Sequence, residues 1–282
     1  MAGRLGVPLK LLLLLLLTLD GFQALRICSF NVRSFGEAKK SNSRAMEVIV
    51  KIIIRCDIML LMEIKDSQNI ICPTLMKMLN GVSVVSVKKS YHYHDTQEGD
   101  EDVFSREPFV VWFYSPKTAV RDFVIIPLHT TPETSVREID ELFDVYMDVK
   151  RRWKPENFIF MGDFNAGCSY VPKKSWKEIR LWIEPNFIWL IGDNVDTTVK
   201  ESTKCAYDRI VVHGQKINNS IVPDSAKTFN FNKVYQLTEE EALDISDHFP
   251  VEFELQPGGS FTNLVRSFAP QKKRGRKKSQ RG

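Results

Sequence analysis

The chain has 282 residues, 43% hydrophobic and 26% charged, enough to bury one large core or two modest ones and too apolar to be disordered as a whole. Its formal charge of +4 hides an asymmetry: residues 271–282 carry seven Lys/Arg and no acid, residues 1–24 contribute +1, and the body between is left at −4. Attraction for nucleic acid or anionic lipid is thereby concentrated in the tail, whose simplest reading is a solvated, disordered end.

The chain opens with MAGRLGVPLK and then Leu11 to Leu17, a short basic segment before an apolar run too short to cross a bilayer comfortably. This predicts a signal peptide over residues 1–24, cut after Ala24, and secretion through the endoplasmic reticulum. A signal anchor is the alternative, disfavoured by Asp20. No later stretch is long and apolar enough to span a membrane.

From Arg26 onward, apolar runs alternate with amphipathic stretches, the pattern of a mixed α and β fold. Strands are predicted at residues 26–30, 57–63, 82–87, 109–113, 123–129, 158–161, 209–212 and 250–255. Helices are predicted at 43–55, with Met46, Ile49, Val50 and Ile53 on one face, at 71–79, and from Thr131-Pro132 through Trp153. Residues 256–270 read as a linker to the tail at 271–282, leaving a single domain at 25–255. Asn218-Asn219-Ser220 is a glycosylation sequon. Five cysteines suit an oxidising compartment. Cys168 and Cys205, both near candidate active-site segments, are the favoured pair, and Cys28, Cys56 and Cys72 stay unassigned.

Polar residues gather where strands end or begin. Asn31 and Glu63 end two strands, His129 ends a third, Asp163 and Asn165 follow a fourth, and Asp208 and His248 precede two more. In an antiparallel arrangement the start of one strand shares a rim with the end of its neighbour, so all seven can line one edge. Glu63 and Asp247, with the neutral amide of Asn31, suit Mg²⁺, which takes oxygen ligands and keeps waters for substrate phosphates. One histidine oriented by a carboxylate can take a proton from water while a second protonates the leaving oxygen, the requirements of phosphodiester hydrolysis. Taken singly, each residue is more simply a local hydrogen-bonding group, so the constellation carries the argument.

Seven ordered segments, CSFNVRSFGE, LLMEIKDS, VFSREP, PLHTTPE, MGDFNAGCSY, CAYDRIVV and SDHFPVEF, resemble the deoxyribonuclease I family, nearest in wording to its gamma branch. The resemblance implies a four-layer α/β sandwich with two central mixed, mainly antiparallel sheets, the endonuclease/exonuclease/phosphatase fold. It implies a metal site at Asn31, Glu63 and Asp247, an Asp208–His248 base pair, His129 as general acid, and Asp163 and Asn165 holding metal and scissile phosphate. Arg106, Tyr207 and Lys65 would contact DNA, aided by Lys272, Lys273, Arg274, Arg276, Lys277 and Lys278 of the tail. The family's disulfide falls on Cys168 and Cys205. Structural Ca²⁺ would lie near Asp95, Asp102, Phe104 and Glu107, and near Asp196 and Thr198, although plain solvation explains the acidic loop more simply. Mg²⁺ and Ca²⁺ are the expected cofactors, with Mn²⁺ as a substitute, and the protein is expected to be a monomer.

One departure changes the reading. Between Asn80 and the strand expected at 82–87, the family carries a hairpin that this chain lacks, and with it the glutamate that orients the general-acid histidine. The fold is therefore expected short of a hairpin, marginally stable and poorly active. Three readings remain. The first is a secreted Mg²⁺/Ca²⁺-dependent endodeoxyribonuclease leaving 5′-phosphate ends, acting on DNA and chromatin in cell death. The second is a truncated, non-catalytic DNA-binding form. The third is another phosphoesterase of the same superfamily, against which the FSREP and CAYDRIVV wording speaks. The KKRGRKK tail also has the composition of a nuclear localisation signal, which admits a nuclear location in dying cells.

Overall fold

A computed structural model describes residues 23–79, 85–95 and 103–258. In chain order the main elements are β1 (Leu25–Phe35), α1 (Glu37–Ser41), α2 (Ser43–Ile53), β2 (Ile58–Ile64), α3 (Ile71–Leu79), β3 (Ser86–His92), β4 (Phe109–Tyr114), β5 (Asp122–His129) and α4 (Ser135–Trp153). They continue with β6 (Phe158–Asp163), α5 (Arg180–Ile183), β7 (Phe187–Trp189), β8 (Asp208–His213), α6 (Gln215–Asn218), β9 (Lys227–Thr228), α7 (Phe231–Tyr235), α8 (Glu239–Ile245) and β10 (Val251–Leu255).

The strands form two sheets, a four-stranded one in the order β2-β1-β10-β9 and a six-stranded one in the order β3-β4-β5-β6-β8-β7. Pairing is mixed and mainly antiparallel, with β1/β2 and β5/β6 parallel. Side-chain alternation along each strand divides the apolar residues into three cores. Ile27 of β1 and Phe253 of β10 meet Ile125, Ile159 and Ile210 between the sheets. Phe30 and Val32 face outward onto α2, α3 and α8, whereas Val124, Phe158 and Phe160 face outward onto α4. The result is the helix, sheet, sheet, helix stack that the family resemblance implied, with the first sheet two strands narrower than the second.

Several boundaries differ from expectation. The strand expected at 82–87 runs from Ser86 to His92, because the pairing partners of Phe109–Tyr114 lie there; residues 82–84 fall outside the described residues. The long helix begins at Ser135 rather than at Thr131-Pro132, since Thr131 joins a turn whose hydroxyls and N–H converge on the buried Glu138 carboxylate. Residues 256–258, expected to start a linker, are instead held to the domain: Ala119 N–H donates to the Gln256 carbonyl and Gly258 N–H to that of Lys117. A Cβ on Gly258 would come 2.5 Å from the Thr118 carbonyl oxygen. Cys168 pairs with Cys205, Cys28 with Cys56, and Cys72 is free and exposed. No described helix is long and apolar enough to cross a membrane.

Candidate active site

Alternation decides which residues reach the space between the sheets. Along β5, β6 and β8 the inward positions include Ile125, Ile159, Met161 and Ile210, and the same parity carries His129, Asp163 and Asp208 inward at the rim. Cross-strand register then sets these three in one row, His129 opposite Asp163 and Asp163 opposite Asp208. On the facing sheet, Ile27, Ser29 and Asn31 share the inward parity of β1, and the Asn31 amide donates to Asp163 Oδ2 at 3.0 Å. Two sheets thus meet at a single carboxylate oxygen.

Glu63 would follow Met59 and Leu61 to the outer face by alternation. Its left-handed backbone, φ 62°, breaks the pattern at the end of β2, and its Oε1 accepts from Asn31 Nδ2 at 3.0 Å. Such a conformation in a residue with a side chain costs on the order of 1–3 kcal/mol and points to a local requirement for the carboxylate position. Burial works against its charge, but the Asn31 amide and the Ser34 N–H donate to it and hold the carboxyl below its usual range.

His248 lies just before β10 and is anchored from three directions. Its N–H donates to Ser246 Oγ at 3.0 Å, its residue bridges Thr198, and its Nδ1 lies 2.7 Å from Asp208 Oδ2. Burial alone would depress its proton affinity; the carboxylates of Asp208 and Asp163 overcome that and push it up to about 10. Its Nε2 is 3.6 Å from Asp163 Oδ2, the atom that also lies 3.9 Å from His129 Nε2. The two imidazoles therefore flank one buried carboxylate.

His129 is in a different position. Its Nε2 stands 3.9 Å from both Glu63 and Asp163, beyond hydrogen-bond reach, and no described residue bonds either ring nitrogen. Burial holds its proton affinity below the ordinary value, with Arg106 adding to the effect against Asp163 and Glu63.

The donor set fits a divalent cation. One ligand atom each from Asp163, Asp208 and His248 lie within 4.8 Å of one another. Asp208 Oδ1 is buried with no hydrogen-bond partner, and burial raises the proton affinity of Asp163, so this pocket holds more negative charge than its own donors satisfy. Asp247 sits at the outer margin, 43% exposed, 4.0 Å from His248 Nε2 and 3.6 Å from Arg33 Nε. Asn165, left-handed at φ 47°, donates its N–H to Asp163 Oδ1 and its amide to the Thr130 carbonyl, which turns the chain back under the row.

The other expected residues divide. Arg106 is exposed and reaches back to the His129 carbonyl at 3.2 Å, and Lys65 is exposed just past Glu63 on the rim. Tyr207 stacks on Tyr170 at 5.2 Å beside His248. Asp95 keeps one buried oxygen unpaired while the other accepts from Val103 N–H. Phe104 is buried under α4, Glu107 is 4.0 Å from His94, and Asp102 lies outside the described residues. Asp196 accepts from the N–H and hydroxyl of Thr198, both through Oδ1. Lys272, Lys273, Arg274, Arg276, Lys277 and Lys278 also lie outside the described residues.

Three supports escaped the sequence reading. Lys39 Nζ donates at 2.6 Å to the carbonyls of Val32, Arg33 and Ile245, fastening the left-handed pair Arg33-Ser34 beside Glu63. Thr197 Oγ1 accepts from the N–H groups of Tyr207 and Asp208. Arg209, fully buried, donates to the carbonyls of Ala166, Ala206 and Ile191 and to Asp193, tying together the loops that carry Asn165 and Asp208. An arginine inside an apolar strand, as in DRIVV, was the available signal for the last of these.

The family described as Endonuclease/Exonuclease/phosphatase matches residues 28–248. Deoxyribonuclease gamma of Homo sapiens is 63% identical over 298 aligned positions, covering 95% of this chain and 98% of the relative. Those positions outnumber the 282 residues here, so the human relative carries residues that this chain lacks. Deoxyribonuclease-1 of Rattus norvegicus is 44% identical, covering 90% and 98%. Among solved structures, D. rerio TDP2 humanized by 14 mutations superposes with a TM-score of 0.56 at 13% identity, covering 82% of this chain and 98% of that one. The Bacteroides thetaiotaomicron mannosyl-6-phosphatase Bt3783 gives 0.52 at 15%, covering 82% and 99%. At such identities the structural likeness speaks for the fold alone.

Proposed function

Because the chain belongs to the endonuclease/exonuclease/phosphatase family, on its deoxyribonuclease branch, we propose that it hydrolyses phosphodiester bonds of DNA with the aid of a divalent cation. The observation that carries this reading is the convergence of both imidazoles on Asp163 Oδ2, with Asn31 and Glu63 closing the pocket from the opposite sheet. Asn31, Glu63 and Asp247, joined by Asp163 and Asp208, would hold Mg²⁺, which when bound would supply positive charge against the phosphate oxygens and offset the charge of these carboxylates.

The side chains divide the remaining work. Asp208 fixes the His248 ring through Nδ1 and leaves Nε2 facing the cleft, where it takes the proton of the attacking water. Asn165 and Asp163 form the wall against which the scissile phosphate is placed. His129 stands on the other side of Asp163, placed to protonate the departing oxygen, leaving a 5′-phosphate on the other fragment. Arg106, Lys65 and the Tyr170–Tyr207 stack offer charge and aromatic surface for the strand beyond. Secretion, a supporting Ca²⁺ near the unpaired Asp95 oxygen, and action on DNA of dying cells complete the reading, with the basic tail drawn to chromatin or anionic lipid.

A second reading, a poorly active form whose main property is DNA binding, is favoured by the unpartnered ring of His129. Without a fixed tautomer, proton donation loses much of the ~10²- to 10⁴-fold that general acid catalysis supplies. A supercoiled-plasmid nicking assay in Mg²⁺ and Ca²⁺ separates the two. Turnover abolished by His248→Ala supports hydrolysis at this site, whereas equal background in both proteins leaves DNA binding alone.

A further inference from the structure

The two sheets of the sandwich do not match in width. The first ends on β2 and the second on β3, and among the described residues each of these strands is paired on one side only. Since β1 and β2 lie over β6, and β10 over β8, the β3–β4 end of the wider sheet projects past β2 with no strand of the described residues facing it. Cross-strand register puts Val87 with Phe113, Ser90 with Val111 and His92 with Phe109 on the inward face of this overhang. Phe113 packs against the inter-sheet core, but farther out Val87 is 58% exposed and Phe109 43%. The opposite face of β3 is already covered: Tyr91 packs edge-on against Trp153 of α4.

The deficit and the overhang have the same dimensions. The narrow sheet is short of two strands beside β2, and the overhang is two strands wide. The free edges, Ile58–Ile64 and Ser86–His92, are seven residues each. We propose that two copies of this chain associate about a two-fold axis, each placing its β3–β4 overhang in the space beside the other's β2. In that arrangement the inward faces of the two overhangs stack on each other and β2 pairs with β3 of the partner on both sides of the axis. Each half contributes four and six strands, so both layers become continuous. At about one hydrogen bond per paired residue, the two junctions add roughly fourteen backbone bonds. The partner's outer helix then comes beside α3, which exposes Met76 at 68% and Met78 at 45%. A second copy is the occupant because the same molecule carries both an edge at β2 and a ledge bearing Val87 and Phe109, each open among the described residues, and because such pairing closes after two copies.

This inference rests on the sheets and not on the catalytic reading. It is tested by light scattering on the purified chain at micromolar concentration, with a Val87→Lys/Phe109→Lys double variant alongside. The parent is expected at twice the mass of one chain and the variant at once, because lysines on an inward face cannot be buried against their own copies. A monomeric parent, a dimeric variant or an open series of oligomers overturns the proposal. If circular dichroism shows the variant unfolded, hydrogen exchange of the parent decides. Amides of 58–64 and 86–92 should exchange more slowly as concentration rises, and exchange independent of concentration overturns the proposal equally.

Discussion

Asp208→Asn isolates the charge on which the active-site reading depends. The side chain is fully buried, its Oδ2 is 2.7 Å from His248 Nδ1, and the amide has the same shape. The rise of His248 from 6.5 to about 10 corresponds to about 5 kcal/mol of net attraction for the imidazolium, since one pKa unit is about 1.4 kcal/mol. Asp208, at 2.7 Å and bonded to the ring, is nearer than Asp163 at 3.6 Å, so the amide should leave burial less opposed and bring His248 well below its present value. A folded-state value above the unfolded one stabilises fully below pH 6.5 and loses that contribution as pH rises through about 10. The metal-free parent should therefore lose stability over that interval, and the variant should lose less. In plasmid nicking the variant is expected to fall by ~10²- to 10⁴-fold, as when an orienting carboxylate is neutralised in other carboxylate-histidine pairs. Imidazole titration followed by NMR, urea melts at pH 6 and pH 10 and the nicking rate give three readouts. An unchanged His248 titration together with a rate within about threefold of the parent refutes the assigned pairing.

Other outcomes follow from single contacts. Asp66 caps α3 through the N–H groups of Ile70, Ile71 and Cys72, which outweigh its desolvation and hold it to about 2, so its contribution is present above pH 4 and lost as pH falls through about 2; Asp66→Asn should remove that acid-dependent part of unfolding. Gly162 has φ 146°, and a Cβ there would meet the Leu128 carbonyl oxygen at 1.9 Å, so Gly162→Ala should cost about 3 kcal/mol in a denaturant melt by forcing β5 from β6. The Cys168–Cys205 link spans 37 positions, for which loop entropy gives about 4 kcal/mol; the Cys168→Ala/Cys205→Ala variant should melt earlier by that order and nick DNA more slowly, because Tyr170 and Tyr207 flank the link.

How far the sequence revealed this arrangement depends on whether the determinant was periodic. Alternation along β5, β6 and β8 is strict, so the inward placement of His129, Asp163 and Asp208 was legible as soon as the strands were recognised. Glu63 was found as a strand-ending acid, but its direction depends on a left-handed backbone that no pattern encodes. The run of β3 on to His92 was hidden for another reason: VKKSYH is a weak strand former, and cross-strand pairing with β4, with Lys88 3.8 Å over Trp112, holds it extended against local preference. The Cys28–Cys56 pair joins β1 to the turn before β2, a proximity created by parallel pairing and absent from the spacing.

The narrower sheet affects the two halves of the site unequally. His129, Asp163 and Asp208 belong to β5, β6 and β8, interior strands of the wider sheet that are paired on both sides. Asn31 lies on β1, also interior, while Glu63 ends β2, now an edge, where Asn31 and Ser34 secure it. Among the described residues the His129 ring has no hydrogen-bond partner and is held 3.9 Å from the carboxylates of Glu63 and Asp163. Cation and phosphate binding should therefore survive better than proton donation to the leaving oxygen. His129→Ala should then cost this chain less in nicking rate than His248→Ala, because the first removes a group already poorly fixed and the second removes one clamped at 2.7 Å. Equal losses of several orders of magnitude would show that His129 is oriented during turnover by a contact that forms only with substrate.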